Sequence, residues 1–205
     1  MPRARTGALR APGTEMTPEV RAIADRFIYE QATLKHMLNL VQESAVVGPN
    51  GRNLSEVGSR FAHLACSLGA FAEAVARERS GTETSPDWDL CAAAARSAEG
   101  QGLSSRADIA RVFGEGLTSL FAELKRLPED ATSPPEALGP MSAHCQSHAI
   151  DLVDAIPEVR MDPLVLNWLL DLEFTDEASR EWQAALLAEA REYVANHPDA
   201  DEEDA

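Results

Sequence analysis

The chain has 205 residues, a length that fits one domain, and its formal net charge at pH 7 is -16. A chain this acidic is predicted to bind neither nucleic-acid phosphates nor anionic membrane surfaces. The three cysteines form no C-x-x-C pair, which indicates a reducing compartment instead of a disulfide scaffold. We find no secretory leader and no apolar run of about 20 residues, so we expect a cytoplasmic protein.

Alanine and leucine dominate the composition and β-branched residues are sparse, which favours helices over sheets. Apolar residues recur three and four positions apart over four long stretches, so an all-α fold that packs as a four-helix bundle is predicted. The first helix is predicted to begin at the Thr17-Pro18 pair and to stop within 46–51. The other three long helices are predicted at 53–79, 106–127 and 136–156.

Additional short helices and disordered termini complete the predicted organisation. A short helix is expected at 85–98, an apolar segment at 162–174 and a last amphipathic helix through about residue 195. We predict a disordered N-terminal arm, one helical domain and an acidic disordered tail, which cover 1–16, 17–196 and 197–205.

Two of the five histidines lie four residues apart on the fourth predicted long helix. His144 and His148 therefore share one helical face, where two imidazoles can point nitrogens at one metal ion. Asp151 follows on nearly the same face and is predicted either to orient an imidazole or to be an extra oxygen ligand. The alternative is a pair of ordinary histidines at a partly exposed helix boundary, because the H-x-x-x-H spacing alone is a weak signal.

His63 lies in the middle of the second predicted helix, beside its apolar stripe and among small residues that leave room for a ligand or another helix. A lone histidine in such a place is more often hydrogen-bonded or exposed than a metal ligand, so its role depends on what it faces. His36 is predicted to be solvated, and neither it nor His197 is assigned a role. Cys145 falls on an apolar stripe and is predicted to belong to the core instead of being a nucleophile.

Several well-known catalytic motifs are missing from the sequence. It contains no Glu-x-x-His pair for a di-iron bundle and no His-Glu-x-x-His pair for a zincin protease. Walker A, Gly-x-Ser-x-Gly and Gly-x-Gly-x-x-Gly motifs are also absent, which argues against the corresponding nucleotide-binding and hydrolase classes.

Two segments resemble motifs of the DinB-like superfamily. The segment Asn-Leu-Ser-Glu-Val-Gly-Ser-Arg-Phe-Ala-His-Leu-Ala at 53–65 is similar to the second-helix motif, in which a capped amphipathic helix carries a histidine followed by Leu-Ala. The segment His-Cys-Gln-Ser-His at 144–148 is similar to the H-x-x-x-H motif on a later long helix. The order of the motifs and the long gap between them also match. Ala149 and Ile150 replace the Arg-Gly that often follows in this family, so the chain resembles a divergent member.

The resemblance implies a bundle in which His63, His144 and His148 hold a divalent metal, most commonly zinc or nickel, with open positions for water or substrate. It further implies a metal-dependent thiol transferase or isomerase that uses a low-molecular-weight thiol such as bacillithiol, mycothiol or glutathione on a small electrophilic substrate. A homodimer is also implied. The alternative is a non-catalytic, stress-related bundle that acts as a binding or structural protein.

Overall fold

A computed structural model describes residues 18–51, 53–81, 102–127, 135–174 and 176–196. All regular structure in these ranges is helical, which confirms the predicted all-α class. The predicted terminal arm, the acidic tail and the short helix at 85–98 lie outside the described residues. The described helices are α1 (Pro18–Leu40), α2 (Glu43–Val46), α3 (Glu56–Arg79), α4 (Arg106–Leu124), α5 (Leu138–Ala155), α6 (Pro157–Arg160), α7 (Pro163–Leu170) and α8 (Glu177–Asn196).

Helices α1, α3, α4 and α5 enclose the core, and both α1 and α3 pack against both α4 and α5. The most extensive packing joins α3 to α4, which run in the same direction: Gly116 approaches Leu68, and further along both helices Arg79 Nη2 donates to Glu123 at 3.0 Å. A Cβ added to Gly116 would lie 2.7 Å from that of Leu68, so glycine permits the close approach of the two helices.

Helix α5 runs antiparallel to α3, and polar contacts at both ends fix its register. At the start of α5, Glu78 accepts hydrogen bonds from the backbone N–H groups of Glu136 (2.7 Å) and Ala137 (3.5 Å). These bonds satisfy donors that the helix itself leaves unpaired. At the other end, Arg60 of α3 donates to the carboxylate of Asp151. The positions of the histidines on these two helices are therefore set relative to one another.

The apolar stripes predicted from periodicity supply most of the core. Ile23, an apolar residue of α1, is instead 38% exposed. The stripe of α5 is buried throughout, including Cys145, which confirms its predicted place in the core. The fully buried side chains of greatest volume come from five different helices and include Trp168, Phe61, Phe113, Leu34, Met37 and Met141.

Helix α1 ends at Leu40, earlier than predicted, because α4 supplies donors for its last carbonyl groups. Arg106 Nη1 donates to the carbonyl oxygens of Asn39 at 3.2 Å and Val41 at 2.8 Å. Carbonyl groups at a helix end need such partners when the helix does not continue. The chain then forms the one-turn helix α2, which the sequence analysis did not predict.

Helix α3 begins at Glu56 instead of Asn53, because the preceding residues pair with the chain that follows α2. Val47 and Leu54 form an isolated antiparallel bridge. Ser55 is the N-cap, and its Oγ accepts the backbone N–H of the residue three positions later at 3.0 Å. This is the bonding pattern of a serine cap, which stabilises a helix start by about 1 kcal/mol.

Proline and aspartate start the two short helices that follow α5. Pro157 and Pro163 are the first residues of α6 and α7, a position where the missing N–H costs nothing. The carboxylate of Asp162 caps α7 by accepting the N–H groups of Leu164 at 3.0 Å and Val165 at 3.1 Å. Residues 162–170 therefore form a capped helix, as their apolar pattern predicted.

Helix α7 packs against α1, partly through a histidine that was expected to be solvated. His36 Nε2 lies 3.1 Å from the second carboxylate oxygen of Asp162 and hydrogen-bonds to it. The helical part of the predicted apolar segment is mainly internal: Leu164 is 41% exposed, but its neighbours on the inner face are buried. The buried side chains of α7 are those of Val165, Trp168 and Leu169.

Helix α8 is held to α5 and α6 by polar contacts. Trp182 Nε1 donates to both oxygens of Asp154, at 3.0 and 3.2 Å. Arg160 donates to Glu189 through two nitrogens, at 2.6 and 2.9 Å. The predicted last helix is thereby confirmed, and its position beside α6 follows from charge pairing more than from its weak apolar face.

A buried carboxylate lies between α1 and α5. Glu30 is 1% exposed, and it accepts hydrogen bonds from Ser142 Oγ (2.7 and 2.9 Å) and Gln146 Nε2 (3.1 Å). Burial raises the pKa of Glu30, more than its hydrogen bonds and the charge of Arg26 lower it. The ionised carboxylate at neutral pH is therefore a net cost to the folded state.

We expect Glu30→Gln to raise the free energy of unfolding at about pH 7.5 by on the order of 1 kcal/mol. The amide oxygen can still accept from Ser142 and Gln146, while the desolvated charge is removed. Because the folded state raises the pKa of Glu30, wild type loses stability as pH rises through that pKa. The gain of the variant should therefore shrink towards about pH 5 in urea titrations.

Glu19→Gln is the matched control, because Glu19 is exposed on the same helix. Its effect on the free energy of unfolding should be small at both pH values. A lower stability of Glu30→Gln at both pH values would show that the charged hydrogen bonds outweigh desolvation.

Candidate metal centre

Two antiparallel helices bring three histidines together. His63 lies on α3, seven residues into the helix, while His144 and His148 lie one turn apart on α5. The two α5 histidines flank the buried stripe that includes Cys145 and Ala149, so they face α3 instead of solvent or the centre of the core. All three side chains are half-buried.

The three imidazoles form a compact, nearly equilateral cluster. Their ring centroids are 4.9 Å apart from His63 to His144, 4.9 Å from His63 to His148, and 4.6 Å from His144 to His148. One ligand nitrogen from each ring lies within 4.8 Å of the other two. The structure thus assembles the three residues that the sequence analysis selected, and the cluster can hold a metal ion.

The nitrogens fit a small divalent cation. His63 Nε2 and His144 Nε2 face each other at 3.0 Å. Two nitrogens bound tetrahedrally to zinc, at about 2.0–2.1 Å each, are about 3.3 Å apart, so only a small adjustment separates the two arrangements. In addition, His148 Nδ1 is buried and has no hydrogen-bond partner. Buried polar atoms normally have a hydrogen-bond partner, but the residues around His148 provide none for this nitrogen.

Electrostatics keep the cluster uncharged at neutral pH. Burial, followed by the charges of His148 and His63, lowers the pKa of His144 to about 4. Burial also lowers the pKa of His63, and burial is the main reason that the pKa of His148 is lowered. Neutral imidazoles offer lone pairs without first losing a proton, which is the form that a metal needs.

The cluster has an apolar inner side and a charged outer side. The Phe71 ring meets His144 edge-on, with 6.1 Å between the centroids. In the direction of the α3 N-terminus, Arg60 and Asp151 form an ion pair across the two helices. Neither Phe71 nor Arg60 was singled out from the sequence. The sequence gives one weak indication that Arg60 lies near the site, because it precedes His63 by one turn of the same helix.

Asp151 has a different partner from the one predicted. It was expected to orient His148 or to be an oxygen ligand, but its carboxylate accepts from Arg60 and is 49% exposed. His148 Nδ1 has no hydrogen-bond partner, so it does not donate to the carboxylate of Asp151. The reason is competition: a guanidinium across the interface offers a stronger, charge-assisted bond than a neutral imidazole.

The remaining described cysteine, Cys66, lies near the cluster in sequence but has the properties of a packing residue. It is half-buried on α3, and burial raises the pKa of its thiol. A raised pKa disfavours the thiolate, which is the nucleophilic form. The chemistry of this centre is therefore assigned to the histidines and not to either of the two described cysteines.

Comparisons with models of known protein families, with curated proteins and with solved structures found no match to this chain. The resemblance to the DinB-like superfamily thus depends on the two sequence motifs, and the residues that those motifs selected are the ones that meet in the structure. Among the helices that the structure describes, none combines the length and the apolar character needed to span a membrane.

Proposed function

We propose that the chain is a DinB-like four-helix bundle that binds one divalent transition metal, zinc or nickel, through His63, His144 and His148. The observation that carries this proposal is the meeting of three half-buried, neutral imidazoles from two different helices, with facing nitrogens 3.0 Å apart. Helices α1, α3, α4 and α5 would be the four helices of the bundle, because they enclose the core.

We further propose that the centre serves a metal-dependent thiol transferase or isomerase. A bound divalent cation supplies positive charge that favours the thiolate form of a low-molecular-weight thiol at neutral pH. The three half-buried histidines would hold that charge at the boundary between core and solvent. The Phe71 ring and the buried stripe of α5 exclude water from the inner side.

The described residues of the centre also support a small-molecule thiol as the nucleophile. The described centre contains no thiol of its own with a lowered pKa, so a thiol nucleophile would come from a small molecule. Bacillithiol, mycothiol and glutathione are the three thiols that the resemblance suggests. The small substrate would carry an electrophilic carbon with a leaving group such as a halide. The thiol sulfur forms a bond to that carbon, the carbon–halide bond breaks, the halide leaves with the electron pair, and the thiol proton goes to solvent.

To test this proposal, we would load purified protein with zinc or nickel and measure the reaction of each thiol with an activated aryl halide. We expect one thiol to react well above the background rate with wild type and at the background rate with His63→Ala. The metal-free wild type is the second control. Stoichiometric metal binding without acceleration for any thiol would contradict the thiol chemistry and favour a non-catalytic bundle.

A further inference from the structure

The Arg60–Asp151 pair occupies the outer end of the histidine cluster. Arg60 precedes His63 by three residues on α3, and Asp151 follows His148 by three residues on α5. Because α3 and α5 are antiparallel, both residues lie one turn from the cluster in the same direction. The pair therefore spans the two helices that carry the histidines.

Asp151 has the chemistry and the position of a fourth metal ligand. Its carboxylate oxygen is a common ligand for divalent transition metals, and a helix places it on nearly the same face as His144 and His148. A fourth protein ligand would close the coordination sphere, as in structural zinc sites.

In the structure, Arg60 holds this carboxylate away from the cluster. Arg60 Nη1 donates to Asp151, while Nη2 donates to Glu56 at 3.1 Å. Among the described residues, the group whose ligand atoms lie within 4.8 Å of one another contains the three histidines and does not include Asp151. The guanidinium therefore bridges two carboxylates, that of Asp151 across the two helices and that of the exposed Glu56 on its own helix.

We propose that Arg60 is a positioning residue that keeps Asp151 off the metal and thereby leaves a coordination position open for an exogenous ligand. This inference depends on the proposed three-histidine metal site. Arg60, which does not itself bind the metal, would then decide whether the centre is open and reactive or closed and structural. The exogenous ligand is a small anion or thiolate that would otherwise compete with the carboxylate.

The first test is a double-mutant cycle on zinc affinity, measured by competition with a chelator. We expect Arg60→Gln to tighten zinc binding by about 10-fold or more, because Asp151 becomes free to bind. In an Asp151→Ala background, Arg60→Gln should change the affinity by only about 3-fold or less, through loss of one nearby positive charge. Arg60→Lys, which keeps the charge without the forked geometry, should give an intermediate affinity.

The second test measures how strongly the cobalt-substituted protein binds an added thiol. Binding is followed by the visible absorption of the cobalt and by the thiolate charge-transfer band. We expect wild type and Asp151→Ala to take up added 2-mercaptoethanol, and Arg60→Gln to take it up more weakly. Restored uptake in Arg60→Gln/Asp151→Ala would identify Asp151 as the blocking ligand. Circular dichroism of each variant checks that the helices are retained.

Two outcomes would overturn the inference. If Arg60→Gln changes the zinc affinity equally in the Asp151 and the Asp151→Ala backgrounds, only the charge of Arg60 matters. Weaker zinc binding by Arg60→Gln would mean that the ion pair supports the site. If Arg60→Gln fails to fold, the same comparison is made with Arg60→Lys. No zinc uptake by wild type would instead refute the proposed function itself, a result distinct from the first two.

Discussion

Wild-type protein is expected to carry about one transition metal per chain after exposure to zinc or nickel, and His148→Ala is expected to carry none. The expected effect is large because only three protein ligands are available. With two imidazoles left, the chain supplies half of a tetrahedral set. The same loss is expected for His63→Ala, since His63 is the one ligand from α3. Elemental mass spectrometry of untagged protein measures the metal-to-protein ratio directly.

His36→Ala is the matched control for this measurement. His36 lies on α1 and hydrogen-bonds to Asp162, away from the cluster, so its removal should leave the metal content unchanged. Unchanged metal content in His148→Ala would show that the ion binds elsewhere. A metal-free wild type would leave the helical fold intact and would shift the function towards a non-catalytic role.

The second large effect is expected from Gly58→Ala, which should lower the free energy of unfolding by about 2–4 kcal/mol. Gly58 lies in the first turn of α3, directly beneath the one-turn helix α2. A Cβ at this position would come within 3.0 Å of the carbonyl carbon of Val46 and still closer to its oxygen. The obstacle is backbone, so a side-chain rotation cannot relieve it. Chemical denaturation of the variant provides the measurement.

Gly69→Ala provides the opposite expectation within the same helix. A Cβ at Gly69 meets nothing within 4 Å, and the residue is exposed. Alanine lowers the backbone entropy of the unfolded chain, so this variant should be more stable by about 0.5–1 kcal/mol. Equal stability changes at Gly58 and Gly69 would mean that α2 does not pack on α3 as described.

Local patterns were sufficient to predict most helices and one part of the site. The three- and four-residue spacing of apolar side chains identified α1, α3, α4 and α5, because a buried helical face repeats at that period. The spacing of His144 and His148 identified one face of one helix in the same way. Cys145 was placed correctly by its angle on the same helix.

Contacts between distant segments explain what the sequence did not predict. The early end of α1 depends on Arg106, and the partner of His36 is Asp162, 126 residues away. The partner of Asp151 in the structure, Arg60, reaches it from another helix and was not singled out from the sequence. Periodicity states which face a residue occupies, but the register between two helices depends on the packing of the whole core.

The parallel direction of α3 and α4 also determines how the chain assembles. Two helices that run the same way cannot form as a local hairpin, and 26 residues separate Arg79 from Arg106 along the chain. Helix α1 packs mainly on α4, α5 and the short helices that follow α5. The contacts of α1 are therefore complete only when α5 and these short helices are in place. Folding should be cooperative and comparatively slow for a helical protein, since its main contacts close long loops.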